Sequence, residues 1–345
     1  MHVSHRRLLS VVVPVYGSAP ILPETHRRLT QALTALGDLD YEIVYVNDGS
    51  PDDAGEILRD IVAGDARARL LSLSRNFGHQ AAITAGLDHA GGDAVVVIDD
   101  DLQDPPEVIA QMVERWRQGS KVVYGVRAAR PGDSLFKRAS AKLFYRLLQW
   151  LSERPIPLDA GDFRLMDRAV VDVLRQMREE SRYMRGMVSW VGFQQCALTY
   201  ERDARYAGES NYSLRHSIRL ALDGIVSFST RPLLLSAAFG ALVTFAAFVV
   251  MVWLVIEKLV NPESVLPGTT TVVVAVLFMG GIQLVTIGVL GTYLGKVFYE
   301  TKKRPLYVTA ERLGFARAET PAAERPGSAG PRAAPPHDPA RIGEG

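Results

Sequence analysis

The sequence predicts an α/β fold built on a mostly parallel sheet, followed by interfacial helices and two membrane-spanning helices. Three observations carry this. Residues 8–126 alternate short apolar runs with amphipathic segments, the pattern of strands joined by crossover helices. Three of the apolar runs end in marked polar loops, "PVYGSAP", "VNDGSPDD" and "DDDLQD". Residues 233–256 and 269–295 form stretches of 24 and 27 residues without Asp, Glu, Lys or Arg, where a bilayer core needs roughly 20.

In chain order, strands are expected at 9–15, 42–47, 69–74, 94–99 and 121–126, with helices near 21–36, 52–64, 79–90 and 106–118. The first strand follows Arg6 and Arg7 and so mimics a signal peptide. Its apolar run from Leu8 to Val15 is short and is broken by Ser10 and Pro14, which favours a buried strand. In a sheet of this kind ligands bind beyond the carboxyl ends of the strands, so the three loops should line one crevice. After Gly125 the regularity weakens. Residues 132–152 read as a basic helix, with Lys137, Arg138, Lys142 and Arg146 among Leu135, Phe136, Leu143 and Phe144, a pattern that suits a membrane surface.

The division expected is a cytoplasmic domain at 1–212, a juxtamembrane interfacial helix at 213–232, spans at 233–256 and 269–295 around a loop at 257–268, a basic segment at 296–314 and a disordered tail at 315–345. The tail is rich in Ala, Pro, Gly and Arg, a composition unable to bury a core. Arg215, Arg219 and Arg231 precede the first span, and Lys296, Lys302, Lys303 and Arg304 follow the second, while the linker holds Lys258 alone. Positive charge therefore places both ends in the cytoplasm and the chain in the inner, or plasma, membrane. Net charge is +1, so no nucleic-acid partner is implied. The one cysteine, Cys196, excludes an internal disulfide.

The stretch "VVVIDDDLQDPPEVIAQM" places Asp99, Asp100, Asp101 and Asp104 within six positions at the end of an apolar run. Carboxylates so close repel one another unless a cation lies among them. Hard divalent cations, Mg2+ or Mn2+, prefer oxygen ligands and borrow more of them from substrate phosphates. Asp104 is expected to cap the helix that Pro105 and Pro106 begin, leaving Asp99 and Asp101, at i and i+2, for a metal or phosphate role.

The motifs "VVVPVYG", "YVNDGSPDDA", "LSRNFGHQAAITAGLDHAGGDAVVVIDDDLQDPPEVI", "AGDFRLMDR" and "RYAGESNYSLRHSI" resemble the inverting family 2 glycosyltransferases, specifically the polyprenyl-phosphate group. That group includes bactoprenol glucosyltransferases and dolichol-phosphate mannose synthases. The resemblance spans residue 8 to about 305. It implies a GT-A type nucleotide-sugar-binding domain, with a nucleotide-diphosphate sugar and a polyprenyl phosphate as substrates, and homo-oligomerisation is left open. By the same resemblance Pro14, Tyr16 and Asp48 border the nucleobase and ribose, with Arg75 nearby. Asp99, Asp101 and Gln103 hold the metal and its bridged diphosphate beside Asp100. Asp162 matches the acidic residue proposed as catalytic base, and Arg127, Lys137, Arg138 and Arg205 meet phosphates. Gly17 and Ser18 stand where the family commonly has Asn-Glu, and Asn211 where it often has Lys.

The chemistry places Asp162 differently from a strong base. A phosphate monoester has a second pKa near 6, so its attacking oxygen is already mostly ionised at neutral pH. Asp162 is better suited to orient a substrate or to stabilise positive character at the anomeric carbon, against the plainer role of pairing with Arg164 or Arg168 in a turn. UDP-glucose is the expected donor and GDP-mannose the alternative. A processive polysaccharide synthase would need Gln-x-x-Arg-Trp well downstream, and "QMVERW" at 111–116 fails on spacing. A membrane-tethered sugar-nucleotide-binding protein without catalysis is the remaining alternative.

Overall fold

A computed structural model describes residues 6–127, 160–201, 231–261 and 268–315. The first half follows the expected alternation. Strands β1 (Leu8–Val15), β2 (Asp40–Asn47), β3 (Ala68–Leu73), β4 (Ala94–Val97) and β5 (Val122–Arg127) alternate with helices α1 (Leu22–Thr34), α2 (Ala54–Gly64), α3 (His79–His89) and α4 (Ile109–Arg117). The strands read as near-continuous apolar runs because helices bury both faces of a parallel sheet. Val11, Val13, Ile43, Tyr45, Leu70 and Val96 are fully shielded from solvent. Helix α1 begins with Pro23 in its first turn and buries Leu22, Thr25, Leu29 and Leu33, an apolar stripe at helical spacing.

The second half holds elements that weaker periodicity concealed. Strand β6 (Ala160–Asp167), helix α5 (Arg168–Gln176), helix α6 (Met184–Val191) and strand β7 (Gln195–Tyr200) complete the domain. The sheet order is β7-β5-β6-β4-β1-β2-β3-β8, where β8 (Thr309–Leu313) comes from the segment after the second apolar helix. Pairs β1/β2, β1/β4, β2/β3 and β5/β7 are parallel, whereas β6 is antiparallel to both β4 and β5, and β8 is antiparallel to β3. Six strands therefore point one way. Because β6 runs against them, its first residues lie at the carboxyl edge of the others, and this brings Asp162 to the crevice.

Two long helices, α7 (Arg231–Val260) and α8 (Gly268–Lys302), separate β7 from β8 in sequence. Each is long and apolar enough to cross a membrane, with windows at Leu233–Val250 and Phe278–Lys302, and large side chains such as Phe245, Trp253, Leu284 and Ile287 are exposed along them. At 1.5 Å per residue α8 is about 52 Å long, well beyond the ~30 Å hydrocarbon core, so it continues past the expected end of the span at residue 295. Its Glu300 accepts the backbone N–H of Glu180 at 2.7 Å. The chain then returns to the sheet edge, where Ser74 N–H donates to the carbonyl of Val308 at 2.9 Å. The expected basic helix at 132–152, residues 213–230 of the expected juxtamembrane helix and residues 316–345 of the expected tail lie outside the described residues, whereas Arg231 and Pro232 already belong to α7.

Candidate active site

The acidic loop leaves β4 with its carboxylates sorted by local hydrogen bonds. Asp100 accepts a hydrogen bond from Ser18 Oγ, and its backbone carbonyl accepts one from Thr25 Oγ1 at 2.9 Å, so its side chain faces the turn after β1. Gly17 makes that turn with φ +68°, a conformation few residues other than glycine adopt readily. Asp101 Oδ1 accepts the N–H of Gln103 at 3.1 Å, closing an Asx-type turn. Leu102 between them is buried with φ +54°, a strained setting of the kind that clusters at functional loops.

Asp104 departs from expectation. The short 3-10 turn at Pro106–Val108 that precedes α4 starts after Pro105 and has no side-chain cap. Asp104 is instead 1% exposed, accepting from Tyr200 Oη at 2.5 Å with Arg127 Nη2 at 3.5 Å. Burial of a carboxylate favours the site that supplies donors, and the ends of β5 and β7 supply them. Arg127, expected at a phosphate, thus also anchors the acidic loop.

Asp99 faces Asp162. His79, the first residue of α3, sets its Nε2 3.6 Å from Asp99 Oδ1 and 3.4 Å from Asp162 Oδ2. Gln80 Nε2 donates to Asp162 Oδ2 at 3.3 Å, and its Oε1 accepts the N–H of Met184 at 2.9 Å. On the other oxygen, Arg185 Nε donates to Asp162 Oδ1 at 3.1 Å with Arg164 Nη2 at 3.7 Å. Arg168 takes no part; it donates to the carbonyls of Gly92 and Ala90. Burial works to raise the Asp162 pKa, but the hydrogen bond from His79 and the charges of Arg185 and Arg164 outweigh it and hold the carboxyl well below its usual range. Burial likewise works to lower His79, and Asp162, Asp99 and Asp100 together keep it above the ordinary imidazole value.

The remaining expected residues divide between order and access. Pro14 is buried in β1, and Tyr16 just beyond it is 54% exposed. Asp48 is buried, its two oxygens accepting the N–H groups of Phe77 at 2.7 Å and Gly78 at 2.9 Å, so it braces the loop before α3. Arg75 is exposed, stacked over the Phe77 ring at 4.0 Å. Lys137, Arg138, Arg205 and Asn211 lie outside the described residues.

The acidic loop fits a hard divalent cation. Asp99 Oδ1 and Gln103 Oε1 are buried side-chain oxygens with no hydrogen-bond partner, the costly condition that a cation relieves. Burial first, then the charges of Asp162, Asp104 and Asp101, push Asp99 up to about 6 against the pull of His79. Burial with Asp99 and Asp101 pushes Asp100 up to about 7 against its bond from Ser18. Among the described residues no group of three His, Cys, Asp or Glu side chains is placed to hold a metal ion by itself, so a cation here would need further oxygens, such as those of a substrate phosphate.

A mostly parallel sheet with an acidic loop at its carboxyl edge, faced by a carboxylate from an antiparallel strand, defines a GT-A-like α/β domain. Residues 10–175 match the glycosyl transferase family 2 domain. An uncharacterized glycosyltransferase of Bacillus subtilis, YkcC, is 45% identical over 306 residues, covering 89% of this chain and 94% of its own. The bactoprenol glucosyl transferase of Shigella phage SfV is 40% identical over 302 residues, covering 87% of this chain and 97% of its own. The chain belongs to glycosyl transferase family 2 and is a glycosyltransferase. Among solved structures, a mannosyltransferase from Pyrobaculum calidifontis in complex with GDP-Man and Mn2+ aligns over 84% of this chain and 88% of its own at 15% identity and a TM-score of 0.44, too loose a likeness to carry argument.

Sequence reading found the carboxylates but missed His79, Gln80, Arg185 and Tyr200. His79 and Gln80 lay in the quoted "NFGHQ" segment, and that was their only signal. Arg185 and Tyr200 had none, since each reaches the site only through the fold.

Proposed function

We propose that the protein transfers glucose from UDP-glucose to a polyprenyl phosphate at the cytoplasmic membrane face, with inversion at the anomeric carbon. The observation that carries this reading is the approach of Asp99 and Asp162 to one imidazole, that of His79, at the β4/β6 edge, with Asp99 Oδ1 and Gln103 Oε1 buried and without hydrogen-bond partners. The 40% identity to a protein named bactoprenol glucosyl transferase supports the choice of sugar and acceptor. Two helices of spanning length, with cations at their outer flanks, support a membrane location with both termini in the cytoplasm.

Asp99, Asp101 and Gln103 would hold Mg2+ or Mn2+, whose chemistry there is to neutralise charge developing on the departing diphosphate. Asp162 is met by the side chains of His79, Gln80 and Arg185, with the Arg164 charge 3.7 Å away, and a carboxylate so stabilised accepts a proton poorly. It orients substrate and stabilises positive character at the reacting carbon, while the lipid phosphate attacks already ionised. Arg127 offsets repulsion between two anionic substrates, for which the planar guanidinium is suited.

The test incubates membranes holding the protein with a panel of nucleotide sugars and polyprenyl phosphate, then weighs the lipid by mass spectrometry. A hexosyl adduct formed from UDP-glucose is expected. An adduct formed from GDP-mannose alone overturns the donor, and bound donor with no adduct from any sugar overturns the enzyme reading in favour of a binding protein.

A further inference from the structure

We infer that His79 is a positioning residue for sugar transfer: its ring, lying between Asp99 and Asp162 with Nε2 3.6 and 3.4 Å from their oxygens, sets the separation of the cation-holding loop from the carboxylate that faces the sugar. The inference rests on the roles proposed above for those two aspartates.

Three observations lead to it. Asp99 Oδ1 has no hydrogen-bond partner, and His79 Nε2 lies 3.6 Å from it, so the imidazole is a polar group facing that oxygen. The ring is 44% exposed, hence it borders the crevice and is not a core histidine. It also begins a helix, where the positive end of the macrodipole disfavours a cation, so helix stability does not account for its placement.

The surroundings hold the ring in place from both sides. Gly78 before it has φ +98°, and the N–H groups of Phe77 and Gly78 are fixed on the carboxylate of Asp48. Gln80 after it joins Asp162 to the backbone of Met184. The segment 77–80 thus ties the loop after β2 to β6 and α6, and His79 extends that tie to the acidic loop. The groups facing the imidazole are Asp99, Asp100 and Asp162. Arg185 and Arg164 hold the far oxygen of Asp162, which leaves its near oxygen to His79 and Gln80.

The test uses the full chain in detergent with His79→Ala and His79→Gln, the latter retaining an N–H donor. Transfer gives kcat and donor KM, and electron paramagnetic resonance gives Mn2+ binding without donor. For His79→Ala, kcat should fall about 10- to 100-fold, the usual cost of losing a residue that orients a site. Donor KM and Mn2+ affinity should stay within about threefold of wild type, as for an interaction used only in the transition state. His79→Gln should recover most of the loss. Wild-type kcat in His79→Ala overturns the inference. So does a loss of kcat with equal loss of Mn2+ and donor binding that glutamine fails to restore, because that is collapse of the site. A wild-type protein that transfers no sugar overturns the proposed function, and the inference falls with it.

Discussion

At Asp162 the side chains of His79 and Gln80 meet one oxygen and Arg185 the other, with the Arg164 charge 3.7 Å away, and this bears on what the residue can do. Its carboxyl is held well below its usual range, which suits the proposed role of supplying charge and direction rather than taking up a proton. With saturating metal, wild-type transfer should decline below about pH 6 as the acceptor phosphate takes up its proton. Asp162→Asn should be slower at every pH while keeping that acidic limb; a mutant without the limb would assign it to Asp162. Asp101→Asn should lower turnover roughly 100-fold or more by removing a cation ligand, with circular dichroism unchanged. The spacing of Asp99 and Asp101 made their proposed role legible, because close carboxylates need a reason. His79 and Arg185 were not legible, since one histidine or arginine carries no spacing, and their meaning arises where chain positions 79, 99, 162 and 185 meet. Asp104 looked like a helix cap by its place before two prolines, and Tyr200, 96 positions away, claims it instead.

The elements of the first half fall within about three residues of their expected limits, because each buried strand and amphipathic helix has a period that sequence displays. Strand β6 was hidden: it carries Asp162, Arg164 and Asp167, which interrupt its apolar pattern, and it gains its place by pairing with β4 and β5. Turns do comparable work. Gly49 after β2 has φ +64°, and a Cβ there would meet the Arg75 carbonyl carbon at 2.5 Å, so only glycine lets this turn pass beneath the Arg75 loop. Gly49→Ala should destabilise the domain by about 1–3 kcal/mol and weaken donor binding, read as a lower thermal midpoint and a higher donor KM. An unchanged midpoint would show that the turn relaxes freely.

Across the whole molecule, the return of the chain from α8 to β8 joins the apolar helices to the catalytic sheet. Tyr307 Oη donates to Asp88 Oδ2 at 2.8 Å, Arg178 pairs with the same carboxylate at 2.7 Å, and Arg59 reaches Glu311 at 3.2 Å. Tyr307→Phe should cost about 1 kcal/mol, the net worth of one such hydrogen bond, seen as a lower urea midpoint. No sequence pattern announced β8, because five residues with a Glu–Arg pair at their centre read as a solvated segment until an open edge such as β3 accepts them. For topology, in a Cys196→Ser background, cysteine placed at 257–261 should react with an impermeant thiol reagent from outside, and cysteine in the 316–345 tail should not. Reversed labelling would put the crevice on the wrong side for a cytoplasmic donor. The most direct test of the account is transfer of labelled glucose from UDP-glucose to polyprenyl phosphate by the purified chain, with and without excess chelator. The account predicts a labelled lipid that chelator abolishes and added Mg2+ or Mn2+ restores; equal labelling in excess chelator would contradict it.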